Sequence, residues 1–127
     1  MILYGIGTDI VRVERIKKSL KNKNFLKRVF NHQEILKCKK LANKYNCFAK
    51  RFAAKEAFSK ALGTGIAKGI NFNEIIILNK KSGKPFINLE GQTKKTIEAR
   101  FKKKKTKISL SIADEKKYAV AFVTISV

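Results

Sequence analysis

The chain begins with a largely apolar run over residues 2–11, interrupted by Gly5 and Gly7 and carrying Thr8 and Asp9 near its end. Such a run predicts a short buried strand, and the glycines mark where a ligand or another backbone approaches closely. From Arg12 to about residue 30, Val13, Ile16 and Leu20 recur at helical spacing among basic residues, which predicts a helix with a cationic outer face. Asn31-His32-Gln33-Glu34 reads as a capping box that opens a second helix, with Ile35, Leu41 and Tyr45 turned inward. A third helix is expected over about residues 48–62, ending at Gly63 as a left-handed cap. Ala53, Ala54, Ala57 and Ala61 share one face of it, so this helix is expected to pack unusually close to something. Glu56, Lys60 and Gly63 share another face.

Beyond the third helix the period changes. Residues 72–78 and 86–89 read as two strands joined by the turn composition of residues 80–85. Residues 92–105 are helical by pattern, with Ile97 and Phe101 one turn apart. Ile108, Leu110 and Ile112 alternate with Ser109 and Ser111, the signature of a half-buried strand. Residues 118–127 are apolar on both faces, which predicts a central or interface strand. The order of elements implies an α+β fold, an antiparallel sheet packed by helices. With no repeat, no linker and one proline (Pro85), residues 1–127 are expected to form a single small domain.

Charge changes the picture. The chain carries 30 Lys+Arg against 9 Asp+Glu, a formal net charge of +21, so an anionic partner is expected. Only five of the basic residues are Arg, and specific base readout leans on bidentate Arg, which counts against a dedicated nucleic-acid binder. Cys38 and Cys47 lie nine positions apart without a CxxC motif, and reduced structural thiols are the expectation. The N-terminus has no basic n-region and no apolar stretch approaches the ~20 residues that span a bilayer, so neither export nor membrane insertion is expected. A cytoplasmic location follows.

The densest chemical signal is Arg51-Phe-Ala-Ala-Lys-Glu56-Ala-Phe-Ser-Lys60-Ala-Leu-Gly63-Thr-Gly-Ile66. A carboxylate followed by an ammonium one turn later is most often an exposed pair of little consequence. Asp9, however, ends a glycine-bearing strand, and Mg²⁺ is typically held by one or two carboxylates, waters and the phosphates of a substrate. Asp9 and Glu56 with Lys60 beside them would suit a pyrophosphate-bearing substrate, although spacing alone does not bring residue 9 to residue 56. Gly5-Ile-Gly-Thr-Asp9 lacks the third glycine of a dinucleotide fingerprint, and Gly63-Thr64-Gly65 follows a helix where a P-loop would precede one.

Taken in order along the chain, Gly5-Ile-Gly-Thr-Asp9-Ile10, the sixteen-residue block from Arg51 to Ile66, and Gly83-Lys84-Pro85 resemble the bacterial 4'-phosphopantetheinyl transferases known as holo-[acyl-carrier-protein] synthases. The resemblance implies transfer of 4'-phosphopantetheine from coenzyme A to a serine hydroxyl of apo-acyl carrier protein, with Mg²⁺ required and adenosine 3',5'-bisphosphate released. It implies Asp9 and Glu56 as metal-binding and catalytic residues and Lys60 as catalytic and pyrophosphate-binding. Arg51, Gly63, Lys84 and Pro85 would bind coenzyme A, and Arg15 would meet the carrier protein. It also implies a homotrimer with coenzyme A between subunits, which suits a chain too small to enclose a drug-sized ligand easily. Neither nucleic acid nor membrane is an expected partner.

One position departs from the family. Many members carry histidine four residues before the tyrosine that opens the last apolar strand, where this chain has Asp114 before Tyr118. An imidazole there could stack on adenine or donate to a phosphate, whereas a carboxylate repels phosphate. Asp114 is therefore not expected to hold the nucleotide in the usual way. The alternative classes are a small basic nucleic-acid-binding module, with affinity that falls steeply with salt, and a structural basic subunit.

Overall fold

A computed structural model describes residues 1–63 and 69–127. Strand β1 (Leu3–Arg12) leads into helix α1 (Val13–Ser19), helix α2 (Lys23–Val29), helix α3 (His32–Lys39) and the long helix α4 (Lys44–Leu62). Strands β2 (Ile75–Asn79) and β3 (Pro85–Leu89) form a hairpin, helix α5 (Gly91–Arg100) follows, and strands β4 (Lys107–Asp114) and β5 (Tyr118–Ser126) close the chain. Among the described residues all pairing is antiparallel, in two sheets: a three-stranded one in the order β1-β5-β4 and the two-stranded β2-β3. The expected α+β fold is present, with the expected one sheet divided in two. The last strand is central in its sheet, as its apolar pattern predicted.

The expected helix over residues 12–30 is two helices. Asn22 interrupts it, because its side chain accepts from the backbone N–H groups of Asn24 and Phe25 and so starts α2 afresh. The capping box of α3 is present, with Asn31 accepting from Gln33 N and Glu34 accepting from Asn31 N at 2.9 Å. The strand expected from residue 72 begins with a single 3-10 turn, Phe72–Glu74, and α5 ends at Arg100. Leu41, expected to turn inward, is 42% exposed, because α3 stops at Lys39 before its last turn can carry the side chain under.

Helix α4 lies across the inner face of the three-stranded sheet and is buried nearly all round. Its alanine face and the two early glycines explain each other. A Cβ at Gly5 would overlap the carbonyl oxygen of Ala61, and one at Gly7 the carbonyl oxygen of Ala57, so β1 and α4 touch backbone to backbone. Gly7→Ala should therefore cost about 1–3 kcal/mol or more. Urea denaturation checks this, and an unchanged midpoint would contradict the close approach. Gly63 ends α4 in the left-handed region at φ 81°, as expected of a helix cap. Thr64, Gly65 and Ile66 of the sixteen-residue block lie outside the described residues.

The cysteines correct the expectation of free thiols. Cys38, in the last turn of α3, and Cys47, in the first turn of α4, are joined as a disulfide with Cα atoms 5.4 Å apart. The short connection over residues 40–43 turns the two helix ends face to face, a geometry that a spacing of nine residues does not reveal. Among the described residues no helix is long and apolar enough to cross a membrane.

Candidate functional site: two centres flanking one helix

The first centre forms where β1 meets the second half of α4. Lys60 Nζ donates to the Asp9 carboxylate at 3.2 Å and to the carbonyl oxygen of Thr8 at 3.0 Å. Glu56 stands close enough to Asp9 for the two carboxylates to repel each other. Burial is the main cause that pushes the Asp9 carboxyl above its ordinary value, against the opposing pull of Lys60 and Arg15. Burial followed by repulsion from Asp9 raises Glu56 in the same direction. Asp9 is thus brought to Glu56 and Lys60, which share a face of α4 as their spacing predicts; that Asp9 meets them is what the sequence could not show. Arg15 joins them, its guanidinium 5.7 Å from the centre of the Phe52 ring and within electrostatic reach of both carboxylates. Among the described residues no cluster of three or more His, Cys, Asp or Glu side chains forms, so any metal here would have two protein carboxylates at most. That donor set, two half-buried oxygen ligands with room for other oxygens, fits Mg²⁺.

The second centre is a cavity of about 420 Å³ at the first half of α4, where Lys37, Lys50, Arg51 and Lys80 gather. Leu41, Pro85 and Ile112 supply apolar wall, and Gly83 and Asp114 complete its rim. Such a volume and mixture of walls are ordinary for a small-molecule site. Arg51 is 4% exposed. Its two terminal nitrogens are held, NH1 by the Cys47 carbonyl and Sγ at 3.3 and 3.2 Å and NH2 by Asn79 Oδ1 at 3.1 Å. Among the described residues, the Nε of Arg51 is buried without a hydrogen-bond partner. Four cations around one hollow make it suited to an anionic ligand. Burial, then repulsion from Arg51 and Lys50, lowers the pKa of Lys37 as well.

The remaining expected residues divide. Pro85 and Gly83 line the cavity, whereas Lys84 and Gly63 are not among its described lining residues; Gly63 caps α4. Asp114, not expected to hold the nucleotide in the family's usual way, lines the cavity as well, and its charge is answered locally. Its Oδ2 accepts from Asn46 at 3.0 Å and its Oδ1 lies 3.9 Å from Lys50 Nζ. Lys37, Lys50 and Lys80 carried no signal in the sequence, being three lysines among many on separate elements.

Sequence reasoning also missed a buried ion pair. Lys55 Nζ donates to Glu34 Oε1 at 2.7 Å, to the Phe72 carbonyl at 2.8 Å and to the Ile75 carbonyl, with both side chains fully buried. Burial pushes the Lys55 ammonium down to about 8, against the opposing attraction of Glu34. Glu34 Oε2 accepts from Ile77 N at 3.0 Å, so this pair locks α3, α4 and β2 together and holds the cavity wall.

The two centres sit on opposite sides of α4. Arg51 and Glu56 are five residues apart, which at 100° per residue separates their directions by about 140°. Asp9 and Asp114 likewise flank the central strand, opposite Ala121 and Ala119 of β5 from β1 and β4 respectively.

A sequence model of the 4'-phosphopantetheinyl transferase superfamily matches residues 5–123. A holo-[acyl-carrier-protein] synthase of Pelagibacter ubique is 54% identical over 123 residues, covering 97% of this chain and 96% of that one. The crystal structure of a Neisseria meningitidis holo-[acyl-carrier-protein] synthase superposes with a TM-score of 0.89 at 38% identity, over 99% of this chain and 100% of that one. A Helicobacter pylori holo-[acyl-carrier-protein] synthase solved in complex with coenzyme A superposes with a TM-score of 0.79 at 35% identity, over 95% and 99% of the two chains. This chain belongs to the 4'-phosphopantetheinyl transferase superfamily, within the holo-[acyl-carrier-protein] synthase family of enzymes.

Proposed function

We propose that this chain transfers 4'-phosphopantetheine from coenzyme A to a serine hydroxyl of apo-acyl carrier protein. The products are holo-acyl carrier protein and adenosine 3',5'-bisphosphate, and the reaction depends on Mg²⁺. The observation that carries this reading is the meeting of Asp9, Glu56 and Lys60 at one side of α4, with a cationic cavity at the other. The coenzyme A complex of the H. pylori relative supports the choice of donor.

Asp9 and Glu56 would hold the metal, which, when bound, supplies positive charge to the phosphate oxygens. Lys60 neutralises the pyrophosphate and then the departing bisphosphate. Arg51, lining the cavity with Lys37, Lys50 and Lys80, supplies positive charge to the phosphates of the nucleotide, and the turn at Gly83-Lys84-Pro85 bounds the nucleotide end, with Gly63 holding the end of α4 in place. The serine oxygen bonds to phosphorus as the bond to the bisphosphate breaks, and the serine proton must leave. Glu56, raised by burial and by Asp9, is the acceptor assigned here.

One coenzyme A would have to pass from one side of α4 to the other to use both centres of a single chain. A subunit contact removes the difficulty, with the cavity of one copy facing the carboxylates of the next. The surface for it exists: Ile6, Ile10, Val120 and Phe122 stand exposed along the outer face of β1 and β5, with Ile10 at 65%. We read the assembly as a homotrimer of one-domain subunits, working in the cytoplasm in fatty-acid synthesis. Incubation with apo-carrier protein, coenzyme A and Mg²⁺ should release one adenosine 3',5'-bisphosphate per carrier modified, and a chelator should stop it. Release that continues in excess chelator would contradict the metal assignment.

The carrier protein is acidic in this reading and meets the exposed stripe of Arg12, Arg15, Lys18 and Lys21 on and around α1. Charges of this kind steer encounter and are screened over ~8–10 Å at physiological salt. Arg15→Glu should raise the KM for carrier protein several-fold and leave that for coenzyme A nearly unchanged, with the wild-type rate falling as salt rises. A change confined to the coenzyme A constant would assign Arg15 to the nucleotide instead.

A further inference from the structure

Among the described residues that line the cavity beside Arg51, Asp114 is the single acidic side chain against four cations. It is well placed and firmly held. It ends β4 opposite Ala119, on the sheet face that α4 covers. Asn46 donates to its Oδ2 at 3.0 Å and to the neighbouring Glu115 carbonyl at 2.9 Å, while Lys50 stands beside its Oδ1. Its side chain remains 27% exposed, so lone pairs are left for a ligand.

An ionised carboxylate only accepts hydrogen bonds. The phosphates of a nucleotide offer it acceptors and repulsion, so a cavity built for phosphate alone has no use for it. The nucleotide end of coenzyme A has two neutral donors, the 6-amino group of adenine and the ribose 2'-hydroxyl. The hydroxyl is adjacent to the 3'-phosphate, whose charge would be driven against Asp114, which leaves the amine. The walls agree: Ile112 is two residues before Asp114 on the same face of β4, and Pro85 shares the cavity with it. A base lying on this apolar wall turns an edge toward the carboxylate, while the phosphates reach Arg51 and Lys37.

We propose that Asp114 is a specificity-determining residue that accepts a hydrogen bond from the adenine 6-amino group and selects adenine at the nucleotide end of the donor. This rests on the reading that coenzyme A occupies the cavity. Hypoxanthine puts a carbonyl oxygen where adenine has its amine, so two acceptors would confront each other and one would stay unpaired.

Steady-state kinetics with coenzyme A and with its analogue bearing hypoxanthine in place of adenine test this. For the wild-type enzyme the KM of the analogue should exceed that of coenzyme A by about tenfold or more, with kcat little changed. In Asp114→Ala the KM for coenzyme A should rise while that for the analogue does not, bringing the ratio near one. Asp114→Asn keeps an acceptor for Asn46 and covers the case in which the alanine variant fails to fold. Its amide can present either oxygen or N–H to the base, so its ratio should also approach one. A purely structural role would raise both constants together and leave the ratio intact, and that result overturns the proposal. Lys37→Ala separates the two readings: it should raise both KM values alike and preserve the ratio. Two unchanged KM values in Lys37→Ala would remove coenzyme A from the cavity, and the base-reading role with it. A shift in Lys37→Ala combined with an undiminished ratio in both Asp114 variants overturns only the role of Asp114.

Discussion

Glu56→Gln should lower turnover by about 100-fold or more while leaving the protein folded and no less stable at neutral pH. A neutral amide is a poor ligand for a hard dication, and it cannot take up the serine proton. The stability half of the result follows from the sign of the pKa shifts. Asp9 and Glu56 are both raised in the folded chain, so the native state holds their protons more tightly than the unfolded state does. Their contribution to stability is present at pH values below the ordinary carboxylate range and is lost as pH rises through the raised values. At neutral pH the pair is a source of repulsion, which Glu56→Gln relieves. Without divalent cations the variant should melt at or above the wild-type temperature. Added Mg²⁺ should raise the wild-type Tm and leave that of the variant nearly unchanged. A folded Glu56→Gln enzyme with near-normal turnover would remove both roles from Glu56.

Phe122→Asp should separate the subunits and abolish activity with them. Phe122 is 44% exposed on the outer face of the sheet, opposite Thr8 and beside Val120, so a single chain tolerates a carboxylate there. Inside a subunit contact the same carboxylate would be taken out of water among apolar neighbours such as Ile6, Ile10 and Val120. Light scattering should move from a multiple of 14.4 kDa to a single chain, with circular dichroism unchanged. Because the carboxylates and the cavity flank α4 on opposite sides, the lone subunit should lose about 100-fold or more in turnover through lost positioning. A fully active monomer would mean that one chain uses both centres alone.

The sequence carried the elements well where a local device determined them. The capping box at Asn31 and Glu34, the left-handed cap at Gly63 and the alternation in β4 each depend on residues close in sequence. The close contact of β1 with α4 was visible as two halves, glycines at 5 and 7 and alanines at 57 and 61, without a statement that they meet. The break at Asn22 was hidden because the apolar spacing runs through it, and a side-chain cap is a stronger signal than periodicity there. Site geometry was harder to see. Asp9, Glu56 and Lys60 are legible as a candidate set from their chemistry and take their roles from the resemblance, whereas the hydrogen bonds from Lys60 to β1 depend on how α4 crosses the sheet. The cavity draws Lys37, Lys50, Lys80 and Asp114 from four segments, and no window of sequence contains them together. The same holds for Glu34, legible as a capping residue, whose second duty to Lys55 depends on the depth at which α3 packs.

The most direct test is mass spectrometry of a purified apo-acyl carrier protein after incubation with this protein, coenzyme A and Mg²⁺. Its mass should increase by one phosphopantetheine group at the acceptor serine, and the increase should fail when the serine is replaced by alanine or the enzyme by its Glu56→Gln form. A carrier protein of unchanged mass, with enzyme shown to be folded and assembled, would contradict the proposed transfer.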